Sequence, residues 1–201
     1  MSEEQYVPWS TVTQTGLGAL QHSGLPLYER TRRFRIYEPG VVPGLAQTEA
    51  YATALMSQII AFYGMPDDTA AAVAGRLSRQ RVMHEGDHEV SMLIEEWVLR
   101  ANIGGADVMR GQLDHLAVAA ELSRVTLGII PMGVPRVMWP TTGFFLFDDA
   151  QARTELPEAE VIVTTPAEID IYARTHAELA RMAVYGEQAR ALIEDARAAL
   201  G

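Results

Sequence analysis

The chain has 201 residues, 48% of them hydrophobic and 21% charged, the balance of a globular protein long enough to bury one sizeable core. No apolar run approaches the roughly 18 to 20 residues that cross a bilayer, so no spanning helix is expected. The formal net charge of −10 argues against a surface that holds nucleic acid directly, because phosphate binding needs local positive charge.

Residue types narrow the chemistry further. Without cysteine there is no disulfide framework, Cys-based zinc site or thiol nucleophile. All 16 basic residues are arginine, which removes Schiff-base and pyridoxal-lysine chemistry. The opening Met-Ser-Glu-Glu-Gln-Tyr is acidic and lacks the apolar centre of a secretory signal, so the cytoplasm is the expected location.

Residues 1–26 carry weak periodicity and read as an arm with one short helix anchored by Trp9. From Leu27 the pattern tightens. Tyr28, Thr31, Phe34 and Ile36 alternate with Arg30, Arg32, Arg33 and Arg35 in a mixed helix-to-strand signal that stops at Pro39. This arginine cluster is either a solvated face balanced by the acidic surplus or a phosphate or carboxylate site. From Tyr37 to Ala52 two Pro-Gly turns lead into an apolar helix. Pro39 and Pro43 fix φ, Gly40 and Gly44 can take φ > 0, and Thr48 is placed to cap a helix carrying Tyr51, Leu55, Gln58 and Ile59.

That helix stops at Gly64-Met65-Pro66. A second, capped by Asp67 or Asp68, runs to about Met83, with Ala70, Val73, Ala74, Leu77 and Val82 opposite Arg76, Arg79 and Arg81. His84 and His88 have the i,i+4 spacing of metal ligands on a helix, but Gly86-Asp87 between them makes a turn, and no metal site is expected. Val90–Ile94 reads as a strand, Glu95–Arg100 as a short helical segment ended by Gly104-Gly105, and Asp107–Leu122 as an amphipathic helix. Strands at Val125–Ile130, Gly143–Phe147 and Glu160–Thr165 follow, then helices from Pro166 to Met182 and from Glu187 to Leu200.

The expected architecture is α+β: a single domain over 27–201 behind the arm, with a small mixed sheet of about four strands flanked by helices. The N-terminal half is helical and two helices close the chain. The helical crossover predicts that the first two of these strands run parallel where they share a sheet, with the later ones antiparallel.

Phosphate cradles and the G-x-S-x-G elbow are absent, so no cofactor is expected. The five histidines are scattered, and His115 and His176 lie inside helical patterns. The better cluster is Glu95-Glu96-Trp97 with Arg100 at a strand end. There a buried carboxyl with a raised pKa is suited to acid–base work, while Glu96 and Arg100 at i,i+4 equally suit a structural ion pair. Met132, Met138, Trp139, Phe144 and Phe145 supply apolar material for a core, an interface or a pocket. Glu96, Gln47 and Tyr37 would be the polar contacts of such a pocket.

The stretch Pro43-Gly44-Leu45-Ala46-Gln47-Thr48-Glu49-Ala50-Tyr51-Ala52 resembles the "P-G-L-L-Q-T-x-x-Y-A" signature of the domain of unknown function DUF5753. Arg76-x-x-Arg79-Gln80 and Glu96-x-x-Leu99-Arg100 with Gly104-Gly105 continue the resemblance. Gln112-Leu113, the Val125–Pro131 strand, Gly143-Phe144-Phe145 and the helices over Tyr172–Ile193 complete it over roughly 27–200. The resemblance implies a domain that follows a helix-turn-helix in actinobacterial Xre/Scr1-type antitoxin-like transcriptional regulators and binds an effector or partner. It carries no catalytic residues. Ala46 replaces the second leucine of the signature, the arginine cluster stands where an acidic, alanine-rich helix is usual, and about 26 preceding residues are too few for a helix-turn-helix.

Two functions follow as expectations. One is a stand-alone binding domain of regulatory ancestry without its own DNA-binding module; its partners would be a small apolar molecule, a partner protein or a second copy of itself, with no direct nucleic acid and no membrane. The other is a cofactor-independent cyclase or isomerase acting on a natural-product intermediate. In it Glu96 is the general acid or base, Tyr37 and Arg100 orient the substrate, and Glu38, Gln47, Trp97, Met138, Trp139 and Phe145 contact it.

Overall fold

The computed structural model describes residues 5–14, 16–140 and 142–201. Its elements run in the order β1 (Gln5–Pro8), α1 (Trp9–Val12), α2 (Leu17–Ser23), α3 (Leu25–Arg30), β2 (Arg33–Glu38), α4 (Glu49–Tyr63), α5 (Thr69–Arg79) and β3 (Glu89–Glu95). There follow α6 (Ala106–Ala119), β4 (Val125–Ile130), β5 (Phe144–Phe147), β6 (Gln151–Glu155), β7 (Ala159–Val163), α7 (Pro166–Met182) and α8 (Gly186–Ala198). Short 3-10 turns cover Gly44–Ala46, Gln80–Met83 and Glu96–Arg100.

One mixed sheet takes all seven described strands in the order β1-β7-β6-β5-β2-β3-β4. The expected α+β class stands, but the expected sheet of about four strands is too small. β3 and β4 run parallel across the α6 crossover, as expected, and β2 extends this parallel set from Arg33↔Glu89 to Glu38↔Ile94. The strands from β5 onward are antiparallel to their neighbours. β2 lies inside the sheet between β5 and β3, with Phe34 and Ile36 buried on one face and Tyr37 on the other, while Arg33 and Arg35 occupy the outer end of that second face.

Phe34 and Ile36 of β2, Met92 and Ile94 of β3 and Leu127 and Ile129 of β4 meet Tyr51, Leu113, Leu116 and Ile193 of the helices in the main core. On the opposite face Tyr37, Leu93, Ile130 and Phe144 pack on Leu179 and Met182 of α7. Helices α2, α4 and α5 form their own cluster, with Leu17, Met56, Ile60 and Val73 at its centre. The result is a helical layer, a sheet and a single covering helix.

The described part of the expected arm contributes β1, which pairs with β7 from Gln5↔Ile162 to Pro8↔Ala159, and α2, which packs on α5. Residues 1–4 and Thr15 of that arm, and Thr141, lie outside the described residues. Thr48 caps α4 as expected, its hydroxyl accepting from the Tyr51 N–H at 3.2 Å, and Gly64 ends the helix in the left-handed region at φ 64°. Of the two candidate caps for α5, Asp67 accepts from Thr69 N–H at 3.2 Å. Asp68 instead accepts from the Leu17 and Gly18 N–H groups at 3.1 and 2.7 Å, so its carboxylate caps α2 from across the interface.

Candidate functional site

The two Pro-Gly turns that precede α4 do not rest on the backbone alone. Gln47 donates to the Val42 carbonyl at 2.7 Å, and the Tyr51 hydroxyl accepts from Val42 N–H at 3.2 Å. Gln80 donates to the Gly44 and Gln47 carbonyls at 3.1 and 2.7 Å. Gln112, fully buried on α6, donates to the Ala46 carbonyl at 2.6 Å and accepts from Thr48 N–H at 2.8 Å. Three amide side chains thus hold the turn, and they come from the separate stretches that resemble family motifs.

Pinned in this way, the turn forms one wall of a cavity of about 450 Å3 between helices α2, α4 and α5 and the β5–β6–β7 side of the sheet. The volume lies in the range of small-molecule sites. Apolar walls come from Leu20, Leu55 and Ile59 of the helices and from Phe145 and Phe147 of β5. Trp9 closes one side, held by its indole N–H donating to the Leu156 carbonyl at 2.8 Å. Three carboxyls (Glu38, Glu155, Glu160) and three guanidiniums (Arg76, Arg79, Arg153) converge in the same space.

Each charged group has a different environment. Arg153 pairs with Glu160 at 3.3 Å. Arg79 lies over the Tyr28 ring at 5.0 Å and gives its N–H groups to the Leu20 and Gln21 carbonyls. Arg76 reaches only neutral acceptors, with Nη1 at 3.0 Å from Gln47 Oε1 and Nε at 3.4 Å from Gln21 Oε1. No carboxylate of the described residues pairs with it within 4.0 Å, and its Nη2 makes no hydrogen bond. Burial disfavours its charge, partly offset by the more distant Glu155 and Glu38.

Glu38 ends β2, and among the described residues its carboxyl also makes no hydrogen bond. Burial, reinforced by the charge of Glu155 and opposed by Arg76, pushes its carboxyl up to about 8. Glu155 presents a large accessible surface, yet the surrounding protein desolvates it and raises its pKa. Both statements hold because the surface it presents is that of the cavity. At neutral pH Glu38 therefore carries a proton, a carboxylic acid facing a partly apolar space.

Of the residues singled out from sequence, Glu38, Gln47 and Phe145 meet in this cavity. Tyr37 points to the other face, where its hydroxyl donates to Glu95 Oε1 at 2.9 Å. Arg136 grips the same carboxylate at 2.9 and 2.7 Å, and this long-range pair was not anticipated. Glu96 is half-buried and accepts from Met132 N–H at 2.9 Å; it makes no ion pair with Arg100, which is exposed. Trp97 and Trp139 are 45% and 70% exposed, and Met138 packs beside Tyr37 and Phe144. None of Glu96, Trp97, Arg100, Met138 and Trp139 lines the cavity.

Arg76 and Arg79 were legible only as the polar stripe of α5, and nothing in their spacing distinguished a stripe turned into a cavity from one turned to solvent. Arg153, Glu155 and Glu160 gave no signal, because β6 reads as a polar connection. Among the described residues no group of three or more His, Cys, Asp or Glu side chains is arranged to hold a metal. No helix of the described residues is long and apolar enough to cross a membrane.

The fold and cavity define a mixed α+β domain with an amphiphilic pocket. A family model described as "Domain of unknown function (DUF5753)" matches residues 27–195, and the chain belongs to that family. No curated protein sequence matches it. Among solved structures it is similar to TrmBL2, described as an archaeal chromatin protein with a novel mode of DNA binding. That likeness has 8% identity and a TM-score of 0.46, covering 92% of this chain and 55% of the other. It is also similar to Nuc, a phospholipase D family member from Salmonella typhimurium, with 13% identity and a TM-score of 0.47 over 92% and 97% of the two chains.

Proposed function

We propose that the chain is a small-molecule-binding domain of regulatory ancestry whose ligand occupies the cavity between α2, α4, α5 and the sheet. The observation that carries this reading is the joining of a cleft of about 450 Å3 with apolar walls to a polar end where Arg76 and Glu38 lack ionic partners. A charged or acidic group that faces a cavity without an ionic partner is open to a ligand that supplies one. The ligand has an apolar body and a polar head, and it sits beside the turn that resembles the family signature.

The decisive experiment fills the cavity. Leu55→Trp and Ile59→Trp place an indole in the apolar walls while leaving the charged end intact. Native mass spectrometry of the protein isolated from its own cells should show a bound small molecule on the wild type and none on the variants. Wild-type protein that carries nothing, and that no amphiphilic compound stabilises against heat, would rule the reading out.

A second reading, an acid–base enzyme of the cyclase or isomerase kind, is favoured by one observation: Glu38 is protonated near neutrality and faces the cavity. A carboxylic acid with a pKa near the working pH is matched to general acid catalysis. In this reading Glu38 donates the proton and Phe145 and Phe147 shape the substrate. Glu38→Gln should then bind substrate and not turn it over. Equal turnover by that variant removes Glu38 from the chemistry.

A further inference from the structure

We propose that Arg76 is the anchor for a carboxylate, and that the cavity takes an apolar carboxylic acid with its head on Arg76 and its body against Leu55, Ile59 and Phe145. This rests on the reading of the cavity as a small-molecule site and names the class of molecule.

Three arginines line the cavity. Arg153 has Glu160, and Arg79 has backbone carbonyls and the Tyr28 ring. Arg76 has two amide oxygens, and these leave Nη2 free. The Gln21 and Gln47 carboxamides fix the guanidinium plane without neutralising it. An oriented guanidinium with a free Nη2 and no ionic partner matches a carboxylate, because a charge-assisted N–H···O bond forms there with little reorganisation. A cationic head is repelled by Arg76 and finds no free anion, because Glu160 is paired with Arg153 and burial pushes the Glu38 and Glu155 carboxyls towards their neutral forms. A neutral head leaves the buried charge as unpaired as before.

Glu38 fits the same occupant. Its protonated carboxyl can donate to a ligand carboxylate, and only its ionised form repels one. The groups that face it are Arg76 and Arg79 on α5, Glu155 and Arg153 on β6, Glu160 on β7, and the Tyr51 hydroxyl on α4. The largest charge effects on Glu38 are those of Glu155, which favours the proton, and Arg76, which opposes it. A carboxylate seated on Arg76 adds to the first effect, so ligand and proton enter together. Affinity then falls as the pH rises through about 8.

The test is calorimetry with matched acid and amide pairs, decanoate with decanamide and 4-phenylbutyrate with 4-phenylbutyramide. The acid of a pair should bind the wild type at least about tenfold tighter than its amide at pH 7, a difference of roughly 1.4 kcal/mol. Arg76→Gln should bring the two within about twofold. Arg76→Lys, which keeps the charge and loses the fork, should fall between.

Glu38→Gln should abolish the loss of affinity between pH 7 and 9. That pH profile of the wild type needs no variant, so the proposal survives a failure of Arg76→Gln to fold. Amides that bind as tightly as their acids overturn the carboxylate assignment while leaving the cavity as a ligand site. If neither member of any pair binds, the underlying reading falls as well.

Discussion

Gly143 lies so close to Glu38 that a Cβ placed on it would stand 2.9 Å from Glu38 Oε2 and 2.9 Å from the Tyr37 carbonyl oxygen. The carboxyl can turn aside, but the strand backbone cannot, so the absence of a side chain here lets β5 approach the end of β2. Thr154 strengthens that approach by donating to the Gly143 carbonyl at 2.7 Å. Gly143→Ala is therefore expected to cost about 1 to 3 kcal/mol through overpacking and to push the Glu38 carboxyl into the cavity. Urea denaturation measures the first effect, and a crystal structure of the variant shows the second. A variant as stable as the wild type would mean that β5 has room to shift.

The Glu38 carboxyl makes stability depend on pH in a stated direction. Its pKa is raised from an ordinary 4.5 to about 8, so between these values the folded chain holds a proton that the unfolded chain releases. Its contribution is complete below 4.5 and is lost as the pH rises towards 8, at a slope of up to roughly 1.4 kcal/mol per pH unit. Glu38→Gln removes this dependence, so the variant should gain on the wild type steadily from pH 5 to 8 and no further above. His176 on α7, pushed down to about 4 by burial, acts in the opposite sense below its ordinary 6.5. It is present in both proteins and cancels in the difference. Parallel stability curves from pH 5 to 8 would show that Glu38 titrates normally.

The helices and the parallel strands were legible because their residues repeat apolar types at one period. α4, α5, α7, β3 and β4 all bury such stripes in the clusters that hold the domain. β6 was not legible, and the reason is physical. Ala152 and Thr154 face the α7 side, while Arg153 and Glu155 turn towards the cavity, so its two faces are a short apolar surface and a charged interior. A strand whose polar face is turned inward has the composition of a loop. The same holds for Arg76 and Arg79, whose stripe on α5 resembles a solvated face until β5 and β6 close over it. Glu38 and Gln47 were legible because the Pro-Gly turns around them needed an explanation. Arg76, which neighbours both in space, is 29 residues from Gln47 in the chain.

Gln112 tests how strongly the family-like turn depends on long-range support. Its side chain is fully buried and satisfies the Ala46 carbonyl and the Thr48 N–H together. Gln112→Ala strips both backbone groups of their partner and leaves a small void, for an expected loss of about 2 to 4 kcal/mol. Because Ala46 and Thr48 enter α4 beside the cavity wall, amide hydrogen exchange should rise first between residues 44 and 52. Unchanged protection in that segment would show that Gln47 and Gln80 suffice to hold it.

On the far face, Tyr37, Glu95 and Arg136 tie the loop after β4 to the sheet. Glu95 is 13% and Arg136 28% exposed in their side chains, and the carboxylate receives both guanidinium N–H groups and the tyrosine hydroxyl. Burial and the neighbouring carboxylate drive the Tyr37 pKa upward, which keeps its proton on the donor side of this bond. Glu95→Gln removes the charge that holds Arg136 and should cost about 1.5 to 3 kcal/mol. Tyr37→Phe removes one neutral donor and should cost about 0.5 to 1.5 kcal/mol. With its guanidinium released, Arg136 becomes a trypsin site, so Glu95→Gln should be cut after Arg136 well before Tyr37→Phe or the wild type. Equal cutting rates in all three proteins would show that the loop is held by Met138 and its apolar neighbours instead of by the ion pair.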